Sequence, residues 1–382
     1  MKSNRKIKIC HFVNRITGRD DGVFKHLIGQ LVYLDKEKFD QFVIFQGGVD
    51  VEKILNSLNI KYFIVKELEK KFSLSIFKKV WKIIKNENVD IVNAHLIKPY
   101  SIAGLMNIFL RKKLIFSYHG LFIRNDYNTK IEQAVYKIAH YIIIIFNKVF
   151  VLTPSIKSIE ILTNETRSFK NINYYYQGKA LYSVTDATDD DLIRELEEYK
   201  SKYIILGYVG RLNREKNVKL CLSVFEKVCE MNHNVSLLIF GDGEEMEHLV
   251  EYVKSKNLEH KVRFFGYVKN VSLYMNYFDI LILTSKREGM PIVLWEAMDN
   301  ALPILSTNVG GIPEIVKVEK CGYIFDENNL DDGIKKLNQL ISDSKLRKEM
   351  GLNGKEAIEK KYTLENFKNF FENYYTELVN EK

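Results

Sequence analysis

Residues 285–315 read SKREGMPIVLWEAMDNALPILSTNVGGIPEI. They follow an apolar run, Asp279-Ile280-Leu281-Ile282-Leu283-Thr284, with the length and composition of a buried strand. Glu288 comes first, then Gly289, Met290 and Pro291, then a helical segment carrying Ile292 and Glu296. Pro291 suits a first helical turn, where its preset φ fits and no amide hydrogen is lost. Gly289 permits close backbone approach to a ligand. The segment therefore offers a carboxylate, then free amides at a helix start, then a second carboxylate about two turns on. Such amides carry roughly half a positive charge and suit a phosphate. An ionised carboxylate accepts hydrogen bonds from vicinal hydroxyls. Acid, anion cradle and acid in a row match a sugar–diphosphate–ribose ligand. The plain alternative is a solvated helix face with a capping acid. Position favours the ligand, because open α/β sheets bind at the carboxyl ends of their strands. A second glycine turn, Gly310-Gly311 before Pro313-Glu314, follows the next strand-like run, residues 303–307.

The stretch from Glu288 to Glu296 resembles the E-x7-E element of family 4 retaining glycosyltransferases, and the residues through Ile315 are similar to that family's donor-site signature. The resemblance implies the GT-B fold, an α/β architecture of two Rossmann-like, doubly wound parallel-sheet domains with a cleft between them. Residues 1–180 are then the acceptor domain and residues 181–362 the nucleotide-sugar donor domain. A terminal helix near 363–382, rich in Phe and Tyr, is expected to pack back on the first domain.

A chain of 382 residues has room for two such domains. Hydrophobic content of 46% and charge of 28% exclude a disordered chain. No run approaches the ~20 apolar residues of a spanning helix. No N-terminal leader is expected either, since Lys8 and His11 break the apolar run at 7–13. Cys10, Cys221, Cys229 and Cys321 lack C-x2-C spacing and read as buried thiols in a reducing cytosol. The net charge of +8 is uneven. Residues 1–180 hold 30 Lys and Arg against 15 Asp and Glu; the remainder holds 27 against 34. That imbalance points the first half to an anionic membrane surface, with peripheral attachment on the cytoplasmic face. Nucleic acid is not expected, because no recognition motif accompanies the charge.

Strand-like runs at 7–13, 41–45, 62–65, 90–94, 114–118 and 149–152 alternate with helical patterns, which predicts a parallel sheet covered on both faces. Ligand groups then belong on the loops after the strands, at Gly22, His95 and His119. A lone strand-end histidine is more often structural. However, D-I-V-N-A-H and F-S-Y-H-G resemble the family's strand-end histidines, which implies an acceptor-side place for His95 and His119, with His119 beside the transferred sugar. Gly22 resembles the glycine loop that approaches the donor phosphates, although Asp21-Gly22 replaces the family's glycine pair. Residues 70–85, KKFSLSIFKKVWKIIK, interleave Lys with Phe72, Phe77 and Trp81. They read either as a core helix with a wet Lys face or as a surface for anionic headgroups.

Residues 173–178 look like the last strand of the first half, but Gln177 stands where the family has Asn, and the acid that follows there is missing. Asp189-Asp190-Asp191 sits before a helix, and capping explains it better than metal binding. Residues 203–210 form a strand that leads into Arg211 and Lys216. That loop resembles the family's diphosphate-binding element. Two cations there would stabilise the leaving diphosphate in place of a metal. By the same resemblance, the backbone of Tyr267 and Val268 meets the base, Glu296 the ribose, and Glu288 with the amides of Gly289, Met290 and Ile292 the sugar.

The expectation is a retaining glycosyltransferase that takes its sugar from a nucleotide diphosphate sugar, UDP before GDP, without cofactor or metal. Its acceptor is a glycan or lipid-linked saccharide of bacterial-type surface polysaccharide assembly. The alternatives are a sugar-nucleotide 2-epimerase on the same fold and a non-catalytic glycan or lipid-surface binding protein. A dehydrogenase is disfavoured, because neither half shows G-x-G-x-x-G with an acid about 20 residues on.

Overall fold

The computed structural model describes residues 5–16, 21–69, 73–119, 129–166, 169–179 and 188–381. The chain divides into two compact units, residues 1–182 with 364–382, and residues 183–363.

The first unit alternates β1 (Ile7–Phe12), α1 (Gly22–Tyr33), β2 (Phe39–Phe45), α2 (Val49–Ser57), β3 (Lys61–Ile64), α3 (Leu74–Asn86), β4 (Ile91–His95), α4 (Ile97–Leu110), β5 (Lys113–Ser117), α5 (Lys130–Phe146), β6 (Val149–Thr153), α6 (Ile156–Thr166) and β7 (Asn171–Tyr174). The strands pair in parallel in the order β3-β2-β1-β4-β5-β6-β7. The order reverses between β1 and β4, so the carboxyl ends of these two strands mark the switch point where doubly wound sheets open a crevice.

The second unit runs α7 (Asp190–Lys202), β8 (Ile204–Val209), α8 (Val218–Met231), β9 (Val235–Phe240), α9 (Met246–Ser255), β10 (Val262–Gly266), β11 (Ile280–Leu283), α10 (Ile292–Asp299), β12 (Ile304–Thr307), α11 (Ile312–Val316), β13 (Gly322–Phe325), α12 (Leu330–Ser342) and α13 (Ser344–Lys360). Its parallel order is β10-β9-β8-β11-β12-β13, with the switch between β8 and β11. The apolar strands arise because helices cover both sheet faces, so alternation with polar residues is not needed.

The last helix, α14 (Leu364–Asn380), packs on the first unit. Phe367, Phe371, Tyr375 and Leu378 recur at helical spacing and are buried against Ile9, Phe39, Ile91 and Ile115. The Tyr375 hydroxyl donates to Gln30 Oε1 at 2.6 Å and accepts from Asn93 Nδ2 at 3.2 Å. Both polar partners are buried, so these bonds also fix where the helix sits.

Two local expectations shift. The final strand of the first unit covers Asn171–Tyr174 rather than residues 173–178, and Gln177 turns into the interior. Pro291 is the extended N-cap of α10, at φ −71° and ψ 137°, not its first helical residue. Asp189 caps α7 as expected, its Oδ1 accepting from the amides of Asp191 and Leu192. In α3, Ile76, Val80 and Ile84 are buried, and Phe77 and Trp81 pack on the same core, which leaves the lysines outside. Lys70, Lys71 and Phe72 lie outside the described residues. The four cysteines are buried and unbridged.

Phe371 is fully buried in the aromatic seam under α14. Truncation there leaves a cavity, so Phe371→Ala is expected to lower unfolding free energy by about 3–5 kcal/mol. Urea titration of the purified variant measures it.

Candidate donor site and a buried imidazole chain

In the second unit, the loops after β8 and β11 meet at the switch point. Lys216, on the β8 loop, forms an ion pair with Glu288 Oε1, on the β11 loop. Their side chains are 22% and 12% exposed, so neither charge is well solvated. Ser285 Oγ donates to the same carboxylate oxygen at 2.7 Å. Two bonds to backbone carbonyls brace the pair: Lys286 N donates to Glu215 O at 2.8 Å, and the Thr284 hydroxyl donates to Lys216 O at 3.3 Å.

Glycines let three loops close on this point. Gly310 has φ +54°, and an added Cβ there would lie 2.1 Å from Glu288 O. Gly241 has φ +143°, and a Cβ would lie 1.9 Å from Gly210 O. Any side chain at either place would push the neighbouring loop away.

The helices that start here lack side-chain caps. Asn217 precedes α8 and Pro291 precedes α10, and neither makes a capping side-chain bond. Their first amides and partial positive charge therefore face the same switch point as Lys216. Arg211 is exposed on the β8 loop. Gly289, Met290, Pro291 and Ile292 are buried in the turn into α10, and Glu296 is buried one helical face further on. Tyr267 is exposed and Val268 half-buried after β10, at the edge of the sheet rather than at the switch.

In the first unit, Gly22 opens α1, but Asp21 already caps that helix, accepting from Val23 N at 2.9 Å and Phe24 N at 3.3 Å. The amides there are capped by a side chain, unlike those of α8 and α10. His95 is the last residue of β4 and fully buried, not on a loop. It links two other imidazoles: His11 Nδ1 lies 3.3 Å from His95 Nε2, and His95 Nδ1 lies 3.0 Å from His119 Nε2.

The direction of this chain follows from its far end. Gln41 Nε2 donates to the Gln30 carbonyl at 3.0 Å, which turns Gln41 Oε1 toward His11 Nε2 at 3.0 Å. An amide oxygen only accepts, so His11 carries its proton on Nε2 and accepts on Nδ1. His95 must then donate from Nε2 and accept on Nδ1, and His119 must donate from Nε2. His119 Nδ1 is left as a bare lone pair, buried and without a hydrogen-bond partner among the described residues. Beside it, His26 Nδ1 lies 3.1 Å from Gln177 Oε1, and the His26 and His119 rings are 5.4 Å apart. Sequence reading missed His11, Gln41, His26 and the role of Gln177. A polar residue inside the apolar β1 run was the one available signal for His11.

A model described as glycosyl transferases group 1 matches residues 189–357, and one described as glycosyltransferase family 4 matches residues 21–149. The chain belongs to glycosyltransferase family 4. This family 4 chain is 25% identical to N-acetyl-alpha-D-glucosaminyl L-malate synthase of Bacillus anthracis, over 81% of its own length and 80% of the relative's. It is likewise 25% identical to UDP-Gal:alpha-D-GlcNAc-diphosphoundecaprenol alpha-1,3-galactosyltransferase of Escherichia coli, over 91% of each. Anabaena HepE in complex with UDP-glucose superposes with TM-score 0.78, covering 97% of this chain and 100% of that one at 15% identity. The fold is GT-B, and the family 4 chain is a glycosyltransferase.

Burial pushes the His11 and His140 imidazoles down to about 4 and holds His95 and His119 well below the usual range; for His95 the neighbouring imidazoles add to it. Unfolded imidazoles protonate near pH ~6.5. Between these values the unfolded chain binds more protons, so stability is full above pH ~6.5 and falls as pH drops toward 4, by at most about 3 kcal/mol for each of His11 and His140. Thermal unfolding from pH 7 to 5 should show a steadily falling Tm, about as salt-independent as buried groups allow. A Tm that holds level across that interval contradicts the assignment.

Proposed function

We propose that the protein transfers a sugar, with retention at the anomeric carbon, from a UDP-sugar to a glycan or lipid-linked saccharide in bacterial surface polysaccharide assembly. A GDP-sugar is the second choice of donor. The observation that carries this reading is the meeting of Lys216 and Glu288 at the β8/β11 switch, beside two helix starts without side-chain caps. Cation and open amides suit a diphosphate. The adjoining carboxylate suits sugar hydroxyls, and Glu296 suits the ribose. Two relatives lend support through their names: HepE is bound to UDP-glucose, and the E. coli relative acts with UDP-Gal on a diphosphoundecaprenol saccharide.

Lys216 and Arg211 supply the positive charge that a metal would otherwise supply to the leaving diphosphate. The bond from the anomeric carbon to the diphosphate oxygen breaks as the acceptor oxygen bonds to the same face. The acceptor's proton passes to an oxygen of the leaving phosphate, so no strong protein base is needed. His119, acceptor-only at Nδ1, takes a hydrogen bond from a sugar hydroxyl and turns away carboxylate or phosphate oxygens. Tyr267 and Val268 meet the base through their backbone.

Removing the Lys216 charge should cost turnover rather than fold. Lys216→Ala is expected to lower kcat by about 2–4 kcal/mol in barrier terms, with nucleotide release measured in the presence of acceptor and chelator. Near wild-type turnover, or loss of wild-type activity with chelator, would overturn the role. Release that needs no acceptor would favour epimerisation or hydrolysis instead.

The cation excess of residues 1–180 supports peripheral attachment to an anionic membrane. No helix among the described residues is long and apolar enough to cross one. Co-sedimentation with anionic vesicles should weaken as ionic strength rises. Binding that ignores salt speaks against an electrostatic attachment.

A further inference from the structure

Helix α5 is apolar on two sides. Tyr136, Ala139, His140 and Ile143 are buried, and Gly104 of α4 admits Ile143 so closely that an added Cβ would lie 2.6 Å from its Cδ1. The other side is open. Ile131 is 77% exposed, Ile138 60%, Ile145 73% and Phe146 64%, with Val135 and Ile142 between them. Their spacing of three and four places them in one stripe along the helix. The helix is well formed without a partner: Thr129 and Glu132 make a reciprocal capping box at its start. A continuous apolar stripe on a capped helix marks a surface that something covers.

The stripe ends at a basic recess. Phe146 borders a cavity of about 500 Å³ lined by Arg111, Lys112, Lys113 and Lys148. Lys148 holds the Glu381 carboxylate at 2.5 Å and Lys113 the Glu381 backbone carbonyl at 2.6 Å, so the Glu381 carboxylate pairs with one cation of the recess. Exposed Lys130 and Lys137 lie on the helix itself. Apolar side chains flanked by cations are the composition of a helix that lies in a lipid interface.

We propose that α5 lies flat in an anionic membrane, its stripe among the acyl chains and the Arg111–Lys148 recess around a phosphate-bearing lipid headgroup. The helix would run about 25 Å along the surface. This deepens the membrane part of the reading above by naming the surface, and it moves that surface from α3, whose apolar side is covered, to α5. It stands or falls without donor or acceptor present, so its failure leaves the transfer reaction untouched.

The test uses the full chain and vesicles of phosphatidylcholine, alone or mixed with phosphatidylglycerol. Wild type should sediment with the mixed vesicles and only weakly with the neutral ones. Ile138→Asp with Ile145→Asp should lose binding about tenfold or more, because two anionic side chains replace the apolar contact. Arg111→Glu with Lys112→Glu should lose the dependence on phosphatidylglycerol while keeping the residual neutral binding. Nucleotide release with a water-soluble acceptor should stay unchanged in both. Ile138→Trp gives a second reading that leaves the stripe apolar: its emission should shift to the blue on mixed vesicles. Equal binding by the aspartate variant, no blue shift, or a wild-type dimer that the aspartates dissolve would overturn the proposal, the last by making a second copy of the chain the occupant.

Discussion

The ion pair between Lys216 and Glu288 joins two loops that leave neighbouring strands in opposite directions. Both charges are largely withdrawn from water, so each needs the other when no ligand is present. Much of the second unit is arranged to permit that meeting. Gly310 and Gly241 keep side chains out of the backbone approaches, and Ser285 satisfies the carboxylate further. The same arrangement leaves the starts of α8 and α10 without side-chain caps. A diphosphate placed there would find a cation already positioned and amides already oriented, which is the preorganisation that lowers a barrier.

The first unit keeps its polar groups at the equivalent switch of its own sheet, but organises them differently. Here the groups are neutral and hydrogen-bonded to one another. Gln30 anchors two chains at once. Its carbonyl sets the polarity of Gln41, His11, His95 and His119, while its side chain receives Tyr375 from α14. Residues at the very end of the sequence thus hold the network at its centre. Asn93 completes that link, donating to Tyr375 and accepting from Ser117. Buried chains of this kind rigidify a site only when every member is satisfied. Among the described residues of this network, His119 Nδ1 is the acceptor left without a hydrogen-bond partner.

The E-x7-E stretch, the strand-helix alternation and the aromatic terminal helix were legible because each is a local pattern. Glu288 and Glu296 sit one loop and one helix apart, so spacing alone places them near a common helix start. What spacing does not reach is register. His11 and His95 are 84 residues apart and meet only because β1 lies beside β4 in a fixed alignment. Lys216 finds Glu288 across 72 residues for the same reason. The open side of α5 was not legible either, because hydrophobicity says that a side chain avoids water and not which surface will cover it.

By itself, then, the sequence determined the family, the α/β alternation and the acid–amide–acid order along the donor loop, all carried by neighbours in the chain. Only the tertiary structure decided the partner of each charge, the proton direction along the imidazoles and the open side of α5. Those depend on which distant strands and helices pack together, and packing is set by the whole chain at once.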